Sequence, residues 1–173
     1  MSSSKKLEVN KNKIIHWLQE DKIPYKEANI SKMPKIAWLL SVDINPVLVY
    51  SMKDLPDRVF IQRDIRLSQE LQDLANKSWK KPKLNGLLIN IDSALTNLNV
   101  RHRILFNKKK EFTGVRMHLI LLDSLNKDTF LNSHLRISEV FATMTQSLSN
   151  LLGVEMKKLK EVEKTASENP LAT

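Results

Sequence analysis

The chain has 173 residues, of which 42% are hydrophobic and 27% are charged, as is usual for a single globular domain. It contains no cysteine, which excludes disulfides, thiolate metal sites and cysteine nucleophiles. No segment offers the roughly 18 to 20 consecutive apolar residues of a membrane span, and the polar start MSSSKK lacks the apolar core of a secretory signal. We therefore expect a cytoplasmic protein that does not enter a membrane.

The chain is strongly basic, with 28 Lys and Arg residues against 19 Asp and Glu, a net charge of +9 and a pI near 9.7. A surplus of this size attracts polyanions, so non-specific binding of nucleic acid is one candidate function. Solvated lysines at loop tips are the alternative explanation, because net charge reports on non-specific association and not on a particular activity.

The first predicted element is a helix between Asn10 and Lys22. Asn10 is a capping residue, Ile14 and the apolar residues one turn away lie on one face, and Pro24 ends the helix. Residues 1–9 are expected to form a flexible tail.

Four short runs follow, each rich in β-branched and aromatic residues: YKEANI, KIAWLLSVD, PVLVYSM and RVFIQRDI. Turn signals separate them at Ser31–Pro34, at Asn45–Pro46 and at Asp54–Asp57. Each run is too short for a helix, so we predict an antiparallel meander.

The two middle runs carry more apolar residues than one covered face of a sheet needs. Large exposed apolar patches usually mark an interface, and homo-oligomers are most often twofold dimers. We therefore expect a homodimer that buries one face or edge of the sheet. The candidate interface residues are Trp38, Leu40, Val47 and Val49.

Two helices are predicted next. Ser68 caps the first, which the segment KSWKKPK interrupts, and Pro82 prevents a smooth continuation into the second. The second helix runs from Leu84, with apolar residues at helical spacing. Its stripe facing the sheet is expected to be Leu84, Leu88, Ile91 and Leu95.

The segments VRHRILF and GVRMHLILL alternate as strands do, and a short polar stretch joins them. We predict a hairpin with Lys108–Glu111 at its tip, where lysines are easily solvated and discourage edge-to-edge pairing. The alternative interpretation is that Lys108, Lys109 and Lys110 contact phosphate groups.

The last predicted element is a long helix over Asp128–Leu152. Gly153 ends or bends it, and the charged segment EMKKLKEVEK can continue it. We expect one domain over residues 10–153, followed by a charged helical extension and a disordered tail over residues 154–173. The order α-β-β-β-(β)-α-α-β-β-α predicts an α+β fold with an antiparallel sheet and helices mainly on one face.

No catalytic motif is recognisable in the sequence. The 3 glycines do not form a phosphate-binding loop, and no serine lies in a G-x-S-x-G context. Asp54, Asp57 and Asp64 form the densest acidic group, and paired carboxylates serve acid–base chemistry or bind magnesium. Turn formation is the simpler explanation for Asp54 and Asp57. We expect no enzymatic activity and no cofactor.

His102 and His118 are candidate metal ligands, because a suitable hairpin register would set them opposite each other. Two imidazoles are fewer than the four or so ligands of a closed zinc site. Neighbouring Arg101, Arg103 and Arg116 would also repel a cation, so we expect no metal here.

The candidate nucleic-acid contacts are basic residues in three patches, together with one tryptophan that could stack on a base. They are Lys77, Trp79, Lys80, Lys81, Lys83, Arg101, Arg103, Lys108, Lys109 and Lys110. Packing over the helix junction beside Pro82 is the alternative for Trp79. With 6% aromatic residues, the chain lacks the stacking platform of an RNA-recognition sheet, so the expected binding is non-specific.

The order of elements over roughly Asn10–Gly153 resembles the type III secretion chaperone-like fold, which YbjN-like proteins share. The segments WLQEDKIPYKE and FNKKKEFTGVRMHLILLD are similar to an uncharacterised archaeal family, catalogued as a domain of unknown function. The fold resemblance implies a dimer that binds an extended segment of another protein without catalysis, although such chaperones are typically acidic. The leading hypothesis is a non-enzymatic, chaperone-like module with an unknown protein partner. Non-specific nucleic-acid binding is the alternative.

Overall fold

The structure is a computed structural model that describes residues 2–43, 47–122 and 125–168, with residues 159–168 described by their backbone alone. Its elements are, in order, α1 (Ser3–Glu20), β1 (Tyr25–Glu27), β2 (Ile36–Val42), β3 (Val47–Met52), β4 (Leu55–Arg66), α2 (Gln69–Asp73), a π-helical turn (Leu74–Ser78), α3 (Lys81–Asn97), β5 (Arg101–Phe106), β6 (Phe112–Leu121) and α4 (Lys127–Glu168). This order confirms the predicted α+β fold class. The predicted turn at Asn45–Pro46 lies outside the described residues.

The strands form one six-stranded sheet in the order β1-β2-β3-β4-β6-β5, and every neighbouring pair is antiparallel. Residues that face each other across neighbouring strands share a face of the sheet. Leu40 faces Val49, and Val49 faces Ile61. We call the side that carries these three residues the helix face, and the other side the open face.

The contacts between helices and strands fall on the helix face. The indole N–H of Trp38 donates to the Leu7 carbonyl of α1 at 3.1 Å. The guanidinium of Arg63 lies 3.6 Å from the centre of the Phe141 ring of α4. His102 Nε2 is 2.9 Å from a carboxylate oxygen of α3. Alternation and register place all three strand residues on the side of Leu40, Val49 and Ile61. The helices therefore form one layer, as predicted.

The hydrophobic core lies between this layer and the sheet. Side chains from α1, α4 and the helix face of the strands are fully buried there: Ile14, Leu18, Leu40, Val49, Ile61, Met117, Phe130 and Ile137. Among the described residues, no helix is both long enough and apolar enough to cross a membrane.

The four residues expected at a dimer interface belong to this core. Trp38 is 5% exposed, and Leu40, Val47 and Val49 are completely buried. The helices of the same chain cover these four residues, whereas Leu39 and Tyr50 of the same strands lie on the open face. In the folded chain these four side chains are not available to a partner.

Several helix boundaries differ from the prediction. The first helix begins at Ser3 and not at Asn10, because Leu7 packs partly against the core and accepts the Trp38 hydrogen bond. Asn10 is therefore a buried residue inside α1 and not its cap. The last helix continues past Gly153 to Glu168.

The cap of the first central helix is confirmed, since the Ser68 hydroxyl accepts a hydrogen bond from the Leu71 N–H. The next helix starts at Lys81. Pro82 therefore lies in the first turn of this helix, where a backbone N–H would have no intrahelical acceptor and its absence costs no hydrogen bond. Its buried positions are Leu87, Ile91 and Leu95, while Leu84 and Leu88 are only partly buried. The inner face is thus rotated slightly from the predicted stripe.

The hairpin of β5 and β6 turns at residues 107–111. The side-chain oxygen of Asn107 accepts hydrogen bonds from the N–H groups of Lys109 and Glu111, and Lys110 has a left-handed φ of 63°. Gly114 lies inside β6 with φ of +152°, where a Cβ would overlap the carbonyl oxygen of Ile65. Its role is therefore the close approach of β6 to β4 and not the turn itself.

Candidate binding face

The open face carries an apolar row that crosses four strands. Leu39 faces Tyr50, Tyr50 faces Phe60, and Phe60 faces Ile120. The Tyr50 and Phe60 rings stack with their centres 5.1 Å apart and their planes 11° from parallel. Neighbouring side chains cover Leu39 and Phe60 almost completely, while Tyr50 and Ile120 are partly exposed. Tyr50 and Ile120 are therefore the accessible residues of this row.

Polar residues follow beside the apolar row. Gln62 faces His118, and His118 faces Arg101. One step further, Asp64 faces Arg116, and Arg116 faces Arg103. We call these two lines the basic rows. Strands β5 and β6, together with residues 58–66 of β4, contain a single acidic residue, Asp64.

Asp64 is fully engaged by its neighbours. Arg116 binds it with both forks of its guanidinium, Nε to Oδ1 at 2.9 Å and Nη2 to Oδ2 at 2.8 Å. Arg66 donates to Oδ2 at 3.0 Å, and Gln62 donates to Oδ1 at 3.2 Å. The Tyr50 hydroxyl continues the network by donating to Gln62 at 3.2 Å.

This network keeps Asp64 ionised. Burial alone would raise the pKa of Asp64, but the hydrogen bond from Arg116, the charges of Arg116 and Arg66 and the hydrogen bond from Arg66 together hold that pKa below its usual range. The hydrogen bond to Asp64 in turn raises the pKa of Arg116. A carboxylate that accepts four hydrogen bonds and is held in its charged form is a structural anchor and not a general acid.

The remaining cations of the basic rows are free. Arg101 and Arg103 are exposed, and neither makes an ion pair within the described part of the chain. The local charge also affects His118: its pKa is lowered by burial, and further by the charges of Arg101, Arg116 and His102. The open face is therefore positive where it meets solvent.

The ten candidate nucleic-acid contacts lie in three separate regions of the structure. Arg101 and Arg103 lie on the open face. Lys108, Lys109 and Lys110 are exposed at the hairpin tip. Lys77, Trp79, Lys80, Lys81 and Lys83 lie at or near the junction of the π-helical turn with α3.

Lys77, Lys83 and Trp79 at the helix junction have local partners. Lys77 pairs with Asp73 at 3.0 Å, and Lys83 pairs with Glu155 of α4. The Lys83 ammonium also lies 4.7 Å from the centre of the Trp79 ring. Trp79 is 9% exposed and belongs to the core, so packing at the helix junction, and not base stacking, accounts for it.

A pocket of about 410 Å³ joins Lys77 to Lys108 and Lys109 at the tip. Asp73 and Glu111 line the same pocket, so its charge is mixed. Of the predicted residues, only Arg101 and Arg103 lie on the open face.

The histidine pair is not assembled as a metal site. The register pairs Arg101 with His118, and His102 with Met117, so the two imidazoles are one residue out of alignment and lie on opposite faces. Both ring nitrogens of His102 are engaged, Nε2 by Asp92 at 2.9 Å and Nδ1 by the Val100 carbonyl at 3.1 Å. Within the described ranges, no three His, Asp or Glu side chains are grouped to hold a metal.

Residue-by-residue reasoning missed Arg58, Arg116 and Tyr50 as members of this surface. Arg58 lies two residues before Phe60 and therefore on the same side of β4. The signal for all three residues is the alternation within RVFIQRDI, GVRMHLILL and PVLVYSM, which places every second residue on the same side. It becomes readable only when the strand order is known, because β4 and β6 are neighbours in the sheet but not in the chain.

Fold and site together define an α+β domain with one helix layer and one open, basic sheet face. The chain belongs to the family described as Uncharacterized conserved protein (DUF2299), whose model matches residues 10–148. It is similar to the crystal structure of an uncharacterized protein from Methanothermobacter thermautotrophicus, with 12% identity, a TM-score of 0.70, and coverage of 80% of this chain and 96% of that one. At that identity the likeness shows the fold alone. No curated protein matches the chain. The expected membership of an uncharacterised family is thereby confirmed.

Proposed function

We propose that the protein is a non-enzymatic protein-binding module whose open face holds an acidic segment of a partner protein. The observation that supports this best is the apolar row lying directly beside unpaired arginines on the face that the helices leave uncovered. Tyrosine and arginine beside aliphatic side chains are typical of binding hot spots. Because the surface is basic, an acidic partner is favoured both in approach and in register.

The edge of the sheet supports an extended partner. β5 is an edge strand of six residues, and edge strands present unpaired backbone groups to which a further strand can add. Arg101 and Arg103 project from this edge strand onto the open face. An acidic strand paired with β5 would neutralise them. This mode agrees with the chaperone-like binding of an extended segment that the fold resemblance implies.

The homodimer remains part of the proposal, but we exclude the open face from its interface. Two copies joined through that face would set the arginines of one copy against those of the other, and like charges in contact are unfavourable. Apolar side chains on the helix layer, Ile89 at 64% exposure and Val154 at 53%, offer the alternative surface. Light scattering at micromolar concentration tests the dimer, since the single chain has a mass of 20.0 kDa.

Nucleic-acid binding is the second candidate function. It is favoured by the unpaired Arg101 and Arg103 on the open face, with the exposed lysines Lys108–Lys110 at the end of the same hairpin. The apolar row gives it little support as the main function, because Tyr50 is the one aromatic ring among the two accessible residues of the row, and Ile120 cannot stack on bases.

The two candidates are separated by binding of two labelled polyanions of equal charge: a short peptide alternating Glu with Leu, and single-stranded oligodeoxythymidine. Fluorescence anisotropy should show tighter binding of the peptide. Arg103→Glu should weaken peptide binding about tenfold or more. The matched control is Lys13→Glu on α1, the same charge change on the helix layer, which should alter binding less than about twofold.

Three results would reject the protein-binding proposal. Tighter binding of the oligonucleotide, weakened by Arg103→Glu, would favour the nucleic-acid function. Equal effects of Arg103→Glu and Lys13→Glu, or no binding of the peptide, would show that the open face is not a specific docking surface.

A further inference from the structure

A pocket of about 400 Å³ opens at one corner of the open face, where β4, β5 and β6 meet. Its lining includes Arg58, Asn99, Arg101, His118, Ile120 and Leu122. The register explains why these side chains converge: Arg101 faces His118 across β5 and β6, and Arg58 lies two residues before Phe60, which faces Ile120.

The pocket combines nitrogen donors with a small apolar area. Two arginines, one histidine and the side-chain amide of Asn99 line it, and its lining contains no carboxylate. Ile120 and Leu122 supply the apolar part, and Leu122 is 59% exposed. An adjoining pocket, which shares Arg101 and His118, contains Asp92, but a carboxylate oxygen of Asp92 is taken by His102 at 2.9 Å.

An unmet hydrogen bond marks the same pocket. The Nε of Arg58 is buried and has no hydrogen-bond partner among the described residues. A buried donor without a partner is unfavourable, and more so when it belongs to a charged group. Arg101 likewise has no ion-pair partner in the described chain. An oxyanion would satisfy both guanidinium groups at once, since their geometry suits carboxylate and phosphate oxygens.

We propose that this pocket binds an oxyanion, a phosphate or carboxylate group carried on a small organic molecule, with Arg58 and Arg101 pairing with its oxygens. His118 and Asn99 supply further hydrogen bonds, and Ile120 and Leu122 contact the organic part. The pocket shares Arg101 with the proposed docking face, but the inference is argued from the lining of the pocket and from Arg58 and does not rest on the binding of a partner protein.

Three ligands test the site: inorganic phosphate, phenyl phosphate and acetate, each titrated against the full chain and followed by NMR of the histidine ring signals. We expect saturable binding, tightest for phenyl phosphate, with shifts at His118 and none at the exposed His16 of α1. Weak or absent binding of acetate identifies a phosphate site, and binding of acetate as tight as that of phosphate identifies a carboxylate site. Oxyanion binding should also raise the pKa of His118, because an anion stabilises the protonated ring.

The variants are chosen to separate this pocket from the general charge of the face. Arg58→Met keeps the length of the side chain and removes its charge, so it should weaken phenyl phosphate binding at least tenfold, and Arg101→Met should do the same. Arg103→Met, on the same face but outside the pocket, should change binding less than twofold. Arg58→Lys covers the case in which Arg58→Met fails to fold. It keeps the charge but not the paired donors, and should weaken binding at least threefold.

The proposal is overturned by any of three results: no saturable binding of any of the three ligands, equal weakening by Arg103→Met and Arg58→Met, or binding by Arg58→Lys and Arg101→Met as tight as that of the unmodified protein. Loss of peptide binding in Arg103→Glu with phenyl phosphate binding retained would show that the pocket binds its ligand independently of peptide docking, although both use Arg101.

Discussion

The side-chain amide of Asn76 pairs with both backbone groups of Phe112: its Nδ2 donates to the Phe112 carbonyl at 2.9 Å, and its Oδ1 accepts from the Phe112 N–H at 2.8 Å. Asn76 lies in the π-helical turn, and Phe112 is the first residue of β6. The pairing of β4 with β6 ends at Arg66 and Gly114. The amide therefore acts as a strand partner for β6 beyond the end of β4, and it joins the helix junction to the hairpin.

Replacing Asn76 tests this pairing. In Asn76→Ala, the N–H and carbonyl of the buried Phe112 lose their partners, so the free energy of unfolding should fall by about 1–3 kcal/mol. The control is Asn85→Ala on the exposed side of α3, which should change stability by no more than about 0.5 kcal/mol. Urea denaturation measures both. An equal, small effect of the two changes would contradict the structural role of Asn76.

Replacing two of the glycines by alanine should change stability in opposite directions. Gly86 lies within α3 with no atom within 4 Å of an added Cβ, so Gly86→Ala should stabilise the protein by up to about 1 kcal/mol. Gly114→Ala should destabilise it by more than about 1–3 kcal/mol, because of the φ of +152° and the clash with the Ile65 carbonyl. Thermal unfolding of both variants is the measurement. A melting temperature that rises for Gly114→Ala would show that β6 does not approach β4 this closely.

Stability should also fall in mild acid because of His134. Burial lowers the pKa of His134; the charge of Asp43 opposes this shift, and that of Arg63 adds to it. The unfolded chain therefore takes up a proton below about pH 6.5 that the folded chain does not, and the free energy of unfolding decreases as the pH falls. His118 contributes in the same direction, since its pKa is also lowered.

Two variants isolate the contribution of His134. Between about pH 7.5 and pH 5, His134→Leu should lose less stability than the unmodified chain, because one of the two imidazoles with a lowered pKa is gone. His16→Gln, at an exposed position of α1, should lose as much as the unmodified chain. Denaturation at both pH values is the measurement, and an unchanged loss in His134→Leu would refute the prediction.

The lysines at the hairpin tip are expected to serve solvation only. Replacing Lys108, Lys109 and Lys110 together by serine should change the free energy of unfolding by about 0.5 kcal/mol or less. If the three lysines contacted phosphates of duplex DNA, the slope of log affinity against log salt would fall by about three. We expect a change of less than about one. Anisotropy titrations at several salt concentrations distinguish the two outcomes.

The helices and strands were predictable because each has its own periodicity along the chain. Which side of a strand faces the helices was not predictable in this way. In residues 58–66 both alternating sets contain apolar side chains, so the pattern alone does not say which set is buried. Pairing with β3 and β6 decides it: Ile61 turns towards the helices, Phe60 lies on the open face, and Arg63 is buried against the ring of Phe141. The pattern of the strand alone would favour the opposite arrangement, with Phe60 towards the helices and Arg63 away from them.

The candidate site was predictable only in part for the same reason. Arg101 and Arg103 alternate with His102 and so were recognisable as one set. The convergence of Arg101 with Arg58 depends on β4 lying next to β6, a pairing between strands that two helices and β5 separate in sequence. Local periodicity carries no information about such a pairing.

That pairing also has a kinetic consequence. Among the strand neighbours of the described chain, β4 and β6 alone are not consecutive; the others are joined by turns or short connections and can form early. The pair Arg66–Gly114 closes a loop that contains α2, the π-helical turn, α3 and β5. Closing a long loop costs chain entropy before native contacts compensate for it. The meander β1–β4 and the hairpin β5–β6 should therefore assemble as two units, and their joining at the Asp64–Arg116 seam should limit the rate of folding.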